Sequence, residues 1–261
     1  MQERHKNRAI YFRELAQTSK NYFIPYLQRF TTLGPQSNIL EIGCGDGGNL
    51  LPFARMGCQT TGVDMAEGRI NGARTFFKNY GVRGKFITAD IFDLSGFDHS
   101  FDVIICHDVI EHIGDKQNLL LLLSRFLNNK GVIFMSFPAW QMPFGGHQQI
   151  CRNSFISHLP FIHLLPQPWY RGILHLAGED EACIRELMSI RKTHITVELF
   201  ERLVKEDPHL TISDRTLYLI NPHYEAKFGL KPHVLSQILA RLPYIRNFFT
   251  TSCFYILTAV Y

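Results

Sequence analysis

The sequence has no long apolar segment and no block of like charge. Its most conspicuous apolar run, LLLLL at 119–123, is far shorter than the ~20 residues that span a bilayer. Lys and Arg total 27 against 23 Asp and Glu, for a net charge of +4, and no five or six consecutive residues share a sign. The sequence therefore predicts no membrane insertion and no nucleic-acid partner.

The cysteines and histidines also lack the spacing of a metal site. None of the six cysteines forms a CxxC pair, and no histidines cluster at ligand spacing. The N-terminal segment is polar and has no apolar stretch typical of a signal peptide. We therefore expect a reduced, cytoplasmic protein without a metal.

Short apolar segments alternate with helical patterns over the first half of the chain. The segments NILEIG, QTTGVD, GKFITAD, FDVIICHD and KGVIFMSFP are predicted strands, and several are nearly continuous apolar runs. Such runs are typical of parallel strands that helices cover on both faces. The alternation predicts an α/β protein with a doubly wound sheet, which LTISDRTLYLI and SCFYILTAV extend near the C-terminus.

The rhythm of strand and helix breaks after Pro138. The next clear helical pattern begins at about 194, and a structureless connection of that length is rare in a compact domain. The chain is therefore divided into three parts. These are an N-terminal helical cap at 1–36, a core made of 37–138 and 193–261, and an insertion at 139–192 with its own helices, such as 153–165 and 178–191.

The stretch LEIGCGDGG, residues 40–48, places four glycines after the first strand. Glycines at a strand-to-helix turn let the backbone approach a ligand, and a helix N-terminus favours an anion. Gly43-x-Gly45-x-x-Gly48 matches the dinucleotide fingerprint, and Asp64 fits the acid that follows it and holds a ribose. An NAD-dependent oxidoreductase is therefore one interpretation.

Nearby acidic residues favour a different cofactor. Glu41 and Asp46 place negative charge at the loop, which opposes a pyrophosphate but suits a ligand with an ammonium and a sulfonium group. Asp90 ends the third strand, where its carboxylate can accept a hydrogen bond from an adenine amine. The polar segment HDVIEHI follows the fourth strand, where the reactive end of such a cofactor would lie.

The order and spacing of these segments resemble the motifs of class I S-adenosylmethionine-dependent methyltransferases, especially the small-molecule, type 11-like branch. The resemblance covers about 37–137 and recurs in the final strands. It implies a Rossmann-like, seven-stranded sheet with an antiparallel last strand. The matching positions are Glu41-Ile-Gly43-Cys-Gly45-x-Gly47, Asp64, Ala89-Asp90-Ile91, Phe101-Asp102-Val103-Ile104 and Val109-Ile110-Glu111-His112-Ile113.

The resemblance also implies where S-adenosylmethionine would bind. Gly43 and Gly45 would line its methionine part, and Asp64 would hold both ribose hydroxyls. The backbone of His107 would meet the amino-acid end, and Glu41 would support the loop.

At the adenine end, Met65 would pack on the base, while Asp90 and the Ile91 amide would form hydrogen bonds with the edge of the base. Helix capping is the alternative role for both Asp64 and Asp90. Asp102 and Glu111 are expected to be structural.

The acceptor is predicted to bind beside PAWQMPFGGHQQICRN, residues 138–153, so that the insertion forms the acceptor side. Trp140 and Phe144 could line a pocket there, and His147 suits a general base because its ordinary pKa is near neutral. His112 is the second candidate base, with helix packing as its alternative role. Tyr224, in the loop at 221–232, is a further candidate for contact with the acceptor.

Together these features predict methyl transfer to a small, partly apolar acceptor, at oxygen in preference to nitrogen or carbon. Because a sulfonium donor is already activated, alignment supplies much of the acceleration, and a base is needed only for a protonated acceptor. The alternatives are an oxidoreductase, a macromolecule methyltransferase and a non-catalytic cofactor-binding scaffold. A Pro-Pro-aromatic loop, expected of enzymes that methylate amino groups of nucleic acids, does not follow the fourth strand.

Overall fold

The computed structural model describes residues 7–260. The first helix, α1 (Arg8–Thr18), continues through a π-helical turn at Ser19–Phe23 into α2 (Ile24–Leu27). This agrees with the helices expected in the N-terminal region, although residues 1–6 of the predicted cap lie outside the described residues. None of the helices within 7–260 is long and apolar enough to cross a bilayer.

Within residues 7–260, eight strands form a single sheet in the order β3-β2-β1-β4-β5-β8-β6-β7. Strands β1 to β5 are parallel, whereas β8 runs antiparallel to both β5 and β6. The predicted α/β fold is confirmed, with one more strand than expected. The additional strand is the two-residue β7, which is too short to show a period in the sequence. The strands are β1 (Asn38–Ile42), β2 (Gln59–Asp64), β3 (Lys85–Thr88), β4 (Phe101–His107), β5 (Leu127–Phe137), β6 (Leu210–Ile220), β7 (His233–Val234) and β8 (Ser252–Ala259).

Helices cover both faces of the sheet, which explains the continuous apolar runs. In β4, Val103 and Ile105 pack into one buried cluster while Ile104 and Cys106 pack into the other. This alternation arises because successive side chains of a strand point to opposite faces. The helices in and around the core are α3 (Leu50–Arg55), α4 (Glu67–Asn79), α5 (Lys116–Phe126), α9 (Val197–Glu206), α10 (His223–Phe228), α11 (Gln237–Ala240) and α12 (Arg246–Phe249).

The segment between β5 and α9 contains three helices rather than the two expected near 153–165 and 178–191. They are α6 (Ser154–His158), α7 (Gln167–Leu176) and α8 (Glu181–Thr193). Pro168 lies in the first turn of α7, where proline is tolerated because an N–H at that position has no partner within the helix. The segment has its own buried cluster, which includes Tyr170 and Leu187. That cluster supports the proposed division into core and insertion, which stays a prediction.

Candidate active site

The glycine loop lies at the carboxyl end of β1, beside the ends of β2 and β4. Gly43, Gly45 and Gly47 all have positive φ, which favours glycine. A Cβ on Gly43 would collide with the side chain of Val109. A Cβ on Gly45 would meet no atom within 4 Å, so that Gly45 borders open space where a ligand can approach the backbone.

Asp64 is held against this loop by two backbone hydrogen bonds. Its Oδ2 accepts from Gly45 N at 2.8 Å, and its Oδ1 accepts from Ala66 N at 2.8 Å. Helix α4 starts only at Glu67, so Asp64 precedes the cap position. Because each carboxylate oxygen has more than one acceptor site, Asp64 can still accept from two ribose hydroxyls.

The carboxylate of Asp46, in contrast, is paired with arginines and is not available to a cationic cofactor. Its side chain is 2% exposed and forms ion pairs with Arg8 and Arg69, the latter at 2.7 Å. The expectation that Asp46 favours a cationic ligand is therefore wrong, since two guanidinium groups neutralise the carboxylate. The sequence does not show this because Arg8 and Arg69 lie on two different helices.

Glu41 is a buried acid beside the loop. Its Oε1 accepts from Asn49 Nδ2 at 2.7 Å, whereas its Oε2 has no hydrogen-bond partner among residues 7–260. Burial raises the pKa of Glu41 to about 8, and the charge of Asp64 adds to the effect. A buried carboxyl with an unsatisfied oxygen fits a ligand that carries an ammonium and a sulfonium group.

The predicted adenine contacts lie at the ends of β2 and β3. Met65 is 71% exposed, so its side chain is available to a ligand. Asp90 Oδ1 accepts from Phe92 N at 3.0 Å and caps the short 3₁₀ turn Ile91–Asp93. One oxygen of Asp90 therefore has the capping role that was the alternative. Its contact with adenine stays a prediction.

His107 ends β4 with its ring in an enclosed position. The ring packs edge-on against Phe23 with centroids 5.0 Å apart. Its Nδ1 is buried and has no hydrogen-bond partner in the part of the chain that is described. The predicted contact of its backbone with the amino-acid end of the cofactor is untested.

Asp108 is the residue that sequence reasoning missed. It has a φ of 52°, uncommon for a residue other than glycine, and its N–H donates to Ser136 O at 2.8 Å. Its charge contributes to raising the pKa of Tyr224 and opposes the lowering of the pKa values of His112 and His147. Asp108 thus lies where the candidate acceptor residues converge, a position signalled only by its place directly after the fourth strand.

His112 and His147 meet as predicted for a shared site. Their ring centroids are 5.2 Å apart, in an edge-to-face arrangement. Burial lowers the pKa of His147 to about 4 and also lowers the pKa of His112. Both imidazoles are therefore neutral near pH 7 and can accept a proton or bind a cation.

Glu111 lies beside these two histidines. Both of its carboxylate oxygens are buried without a hydrogen-bond partner among the described residues, and burial raises its pKa well above the ordinary value. One donor atom from each of Glu111, His112 and His147 lies within 4.8 Å of the other two. The expectation of no metal rested on linear spacing, but the fold assembles a donor set that could hold a divalent cation.

The remaining candidates border this region in different ways. The Trp140 ring lies against His163 and His194, with centroids 4.7 and 5.0 Å away. Phe144 is half-buried, and the Tyr224 ring contacts Phe228 edge-on at 5.4 Å. Their contact with an acceptor stays a prediction.

The N-terminal helices and α10 close one side of the site. Thr18 Oγ1 lies 3.0 Å from His223 Nδ1, and the Tyr22 hydroxyl donates to the Glu225 carboxylate. Desolvation raises the pKa of the half-buried Tyr11, and the charge of Asp108 adds to the effect. The two elements therefore cover the region of Asp108 together.

Comparison with known proteins agrees with this geometry. A methyltransferase domain family matches residues 39–131. The ubiquinone biosynthesis O-methyltransferase of Rickettsia akari (strain Hartford) is 34% identical over 98 residues, which cover 38% of this chain and 39% of that protein. The enzyme of the same name from Azorhizobium caulinodans is 35% identical over 98 residues, with the same shares covered. The chain thus spans about two fifths of the length of these curated relatives.

Solved structures extend the likeness to nearly the whole chain. The plantazolicin methyltransferase BpumL in complex with S-adenosylhomocysteine has a TM-score of 0.54 at 16% identity, covering 99% of this chain and 88% of that one. Geranyl diphosphate methyltransferase in complex with S-adenosylmethionine has a TM-score of 0.56 at 15% identity, covering 90% and 82%. Identities this low show the fold alone.

Residues 39–131 thus match a methyltransferase domain family, and the resemblance to class I S-adenosylmethionine-dependent methyltransferases is confirmed. S-adenosylmethionine is the cofactor of this class. The family match decides between the two interpretations of the glycine loop and does not support the NAD-dependent oxidoreductase.

Proposed function

We propose that this chain transfers the methyl group of S-adenosylmethionine to a hydroxyl oxygen of a small, partly apolar molecule. The observation that carries the proposal is the convergence of His112 and His147 near Asp108, at the same sheet edge as Gly45 and Asp64. The curated relatives are named as O-methyltransferases, which supports oxygen as the methylated atom.

The cofactor residues bind and align the donor. S-adenosylmethionine, when bound, supplies an activated methyl group. Gly45 leaves room for the methionine part, Asp64 accepts from the ribose, and Glu41 places a carboxyl near the cationic end. Met65 covers one face of the adenine. Holding the donor in line with the acceptor accounts for much of the rate.

On the acceptor side, a neutral histidine takes the hydroxyl proton. His147 is half-buried and its ring lies edge-on to that of His112, so either imidazole can accept the proton as the oxygen attacks. The carboxylate of Asp108 favours the imidazolium that results, because it opposes the lowering of both histidine pKa values. Asp108 therefore acts as a positioning residue.

A divalent cation is a second way in which the same cluster can activate a hydroxyl. Glu111 would supply a carboxylate and the two histidines would supply neutral nitrogens, a donor set that suits several divalent metals. Methyl-transfer rates with chelator and with added magnesium or zinc separate the two mechanisms. A rate that chelator leaves unchanged assigns the proton to a histidine alone.

The test combines cofactor binding with a methyl-transfer screen. Isothermal titration should show binding of S-adenosylhomocysteine and none of NAD. The screen uses phenols, quinols, sugars and hydroxylated lipids, with and without alkyl chains. Binding of NAD instead, or methylation only at nitrogen or carbon, would contradict the proposal. Cofactor binding with no turnover on any acceptor would favour the non-catalytic scaffold.

The candidate bases are tested by His147→Gln and His112→Gln. The matched control is His209→Gln. His209 is exposed and precedes β6, and it lies at the amino ends of the parallel strands, whereas the candidate bases lie near their carboxyl ends. That placement follows from the register, in which Leu210 pairs with Ala259 at the end of β8. We expect a fall in kcat of about 10²-fold or more for the base and none for the control.

A further inference from the structure

The insertion contains a second group of donor atoms, separate from the candidate active site. Cys151, Glu179 and Cys183 each offer one atom, and these atoms lie within 4.8 Å of one another. Cys151 precedes α6, Glu179 lies in the turn between α7 and α8, and Cys183 belongs to the first turn of α8. Three separate segments of the insertion thus converge at one point.

We propose that these three side chains bind a zinc ion that ties the insertion together. Two thiolates and a carboxylate form a donor set that suits zinc, with bond lengths of about 2.0–2.3 Å. Cys183 is half-buried, so water can reach the remaining position of a four-coordinate ion. Binding displaces both thiol protons, so that two protons leave for each ion bound.

The carboxylate is already held in place for this role. Glu179 is 6% exposed, and its two oxygens accept from the backbone nitrogens of Asn153 at 2.8 Å and Arg152 at 3.0 Å. The Cys183 N–H donates to Asp180 Oδ1 at 2.8 Å, which fixes the start of α8. Hydrogen bonds that orient metal ligands are typical of built metal sites.

A buried tyrosine supplies an independent observation. The Tyr170 hydroxyl is buried and has no hydrogen-bond partner among residues 7–260. Tyr170 belongs to the same buried cluster as Cys151, and Cys183 packs against that cluster. A buried hydroxyl without a partner is costly, and a zinc-bound thiolate would accept its hydrogen bond.

The ion would matter because the insertion has a small core. Its buried cluster has seven residues, and small cores commonly depend on a metal or another cross-link. Helix α8, which carries Cys183, ends at Thr193, whose Oγ1 donates to Glu111 O at 2.6 Å. A zinc ion would therefore steady the helix that contacts the segment carrying Glu111 and His112.

The experiment measures zinc in the full chain by elemental analysis, before and after stripping with a chelator. We expect one tightly held zinc ion per chain, a thiolate-to-metal charge-transfer band after cobalt replacement, and a rise in the thermal midpoint when zinc is returned. Magnesium should leave the midpoint unchanged. Stripped protein that neither binds zinc nor gains thermal stability from it would overturn the proposal.

Variants separate this site from the candidate active site. Cys183→Ser should abolish both the bound zinc and the charge-transfer band, whereas Cys58→Ser and His147→Gln should keep them. Zinc retained by Cys183→Ser but lost from His147→Gln would place the ion at Glu111 and contradict the proposal. A reversible loss of two thiols in air, without zinc, would show a disulfide instead. Because these readouts do not involve methyl transfer, they stand apart from the proposed function.

Discussion

The backbone N–H of Gly45 donates to Asp64 Oδ2 at 2.8 Å, which joins two positions nineteen residues apart in the sequence. Strands β1 and β2 are parallel and in register, with Ile42 opposite Val63, so their carboxyl ends lie side by side. The bond involves a carboxylate and is therefore stronger than a neutral one. It holds the glycine loop and the candidate ribose acceptor in one rigid unit.

The two glycines of this unit should respond differently to alanine. Gly43→Ala and Gly45→Ala both place a side chain at positive φ, which costs about 1–2 kcal/mol. Only Gly43→Ala also collides with Val109. Calorimetry should therefore show the larger loss of thermal stability for Gly43→Ala. Gly45→Ala should keep the fold and weaken binding of S-adenosylhomocysteine by about tenfold or more, equivalent to about 1.4 kcal/mol. Equal thermal midpoints would contradict this account of the loop.

Asp64→Asn should weaken cofactor binding. The amide would turn an NH₂ group toward a backbone N–H that the carboxylate now accepts from, and the charge-assisted bonds would be lost. We expect a 10- to 100-fold higher Kd by titration calorimetry, or about 1.4–2.7 kcal/mol.

Asp102→Asn is the control for Asp64→Asn. Asp102 also accepts two hydrogen bonds, from Asn38 N at 2.8 Å and Asn128 Nδ2 at 3.0 Å, but at the amino end of β4. The Asp102→Asn variant should be less stable than the unmodified protein, but its affinity for the cofactor should be unchanged. An equal loss of affinity in both variants would show a general effect of unfolding.

We predict that binding of the cofactor releases a proton from Glu41. Its pKa of about 8 means that the carboxyl is mostly protonated at pH 7 in the ligand-free protein. A cationic ligand nearby favours the carboxylate, so binding should release up to one proton. Titrations in two buffers of different ionisation enthalpy would measure this release. Glu41→Gln should abolish it, and an enthalpy independent of buffer in the unmodified protein would refute the prediction.

We predict that the buried His163 lowers the free energy of unfolding in mild acid. Its Nε2–H donates to Trp140 O at 2.8 Å, its Nδ1 is buried, and burial lowers its pKa to about 4. The unfolded chain titrates near pH 6.5, so it binds more protons than the folded chain between pH 4 and about 6.5. Stability is therefore complete above about pH 6.5 and falls toward pH 4, by up to about 1.4 kcal/mol per pH unit.

His163→Gln is the variant that checks this pH dependence. Its amide can still donate to Trp140 O but takes no proton in this range. Denaturant midpoints measured from pH 7 to 4.5 should fall less steeply in the variant. His147, whose pKa is also about 4, should keep part of the slope. Identical slopes for the two proteins would contradict the role of His163.

Much of the fold could be predicted from local properties of the chain. The five parallel strands follow from apolar runs bounded by glycine or charge, and Gly43 and Gly45 follow from their place after the first strand. Strand β7 could not be predicted, because two residues show no period. The third helix of the insertion, α7, falls between the two ranges predicted to be helical, where Pro166, Pro168 and Gly172 weaken the helical pattern.

The sequence by itself determined the class of protein, because the order of strands and the positions of Glu41, Gly43, Gly45 and Asp64 are properties of short segments. Only the tertiary structure decided which polar groups share space. Helix packing neutralises Asp46 with two arginines and brings Glu111 and His147 together. It also assembles the donor atoms around Cys151. These contacts join distant segments, and their energies depend on burial and on the partners that packing provides, which no local pattern records.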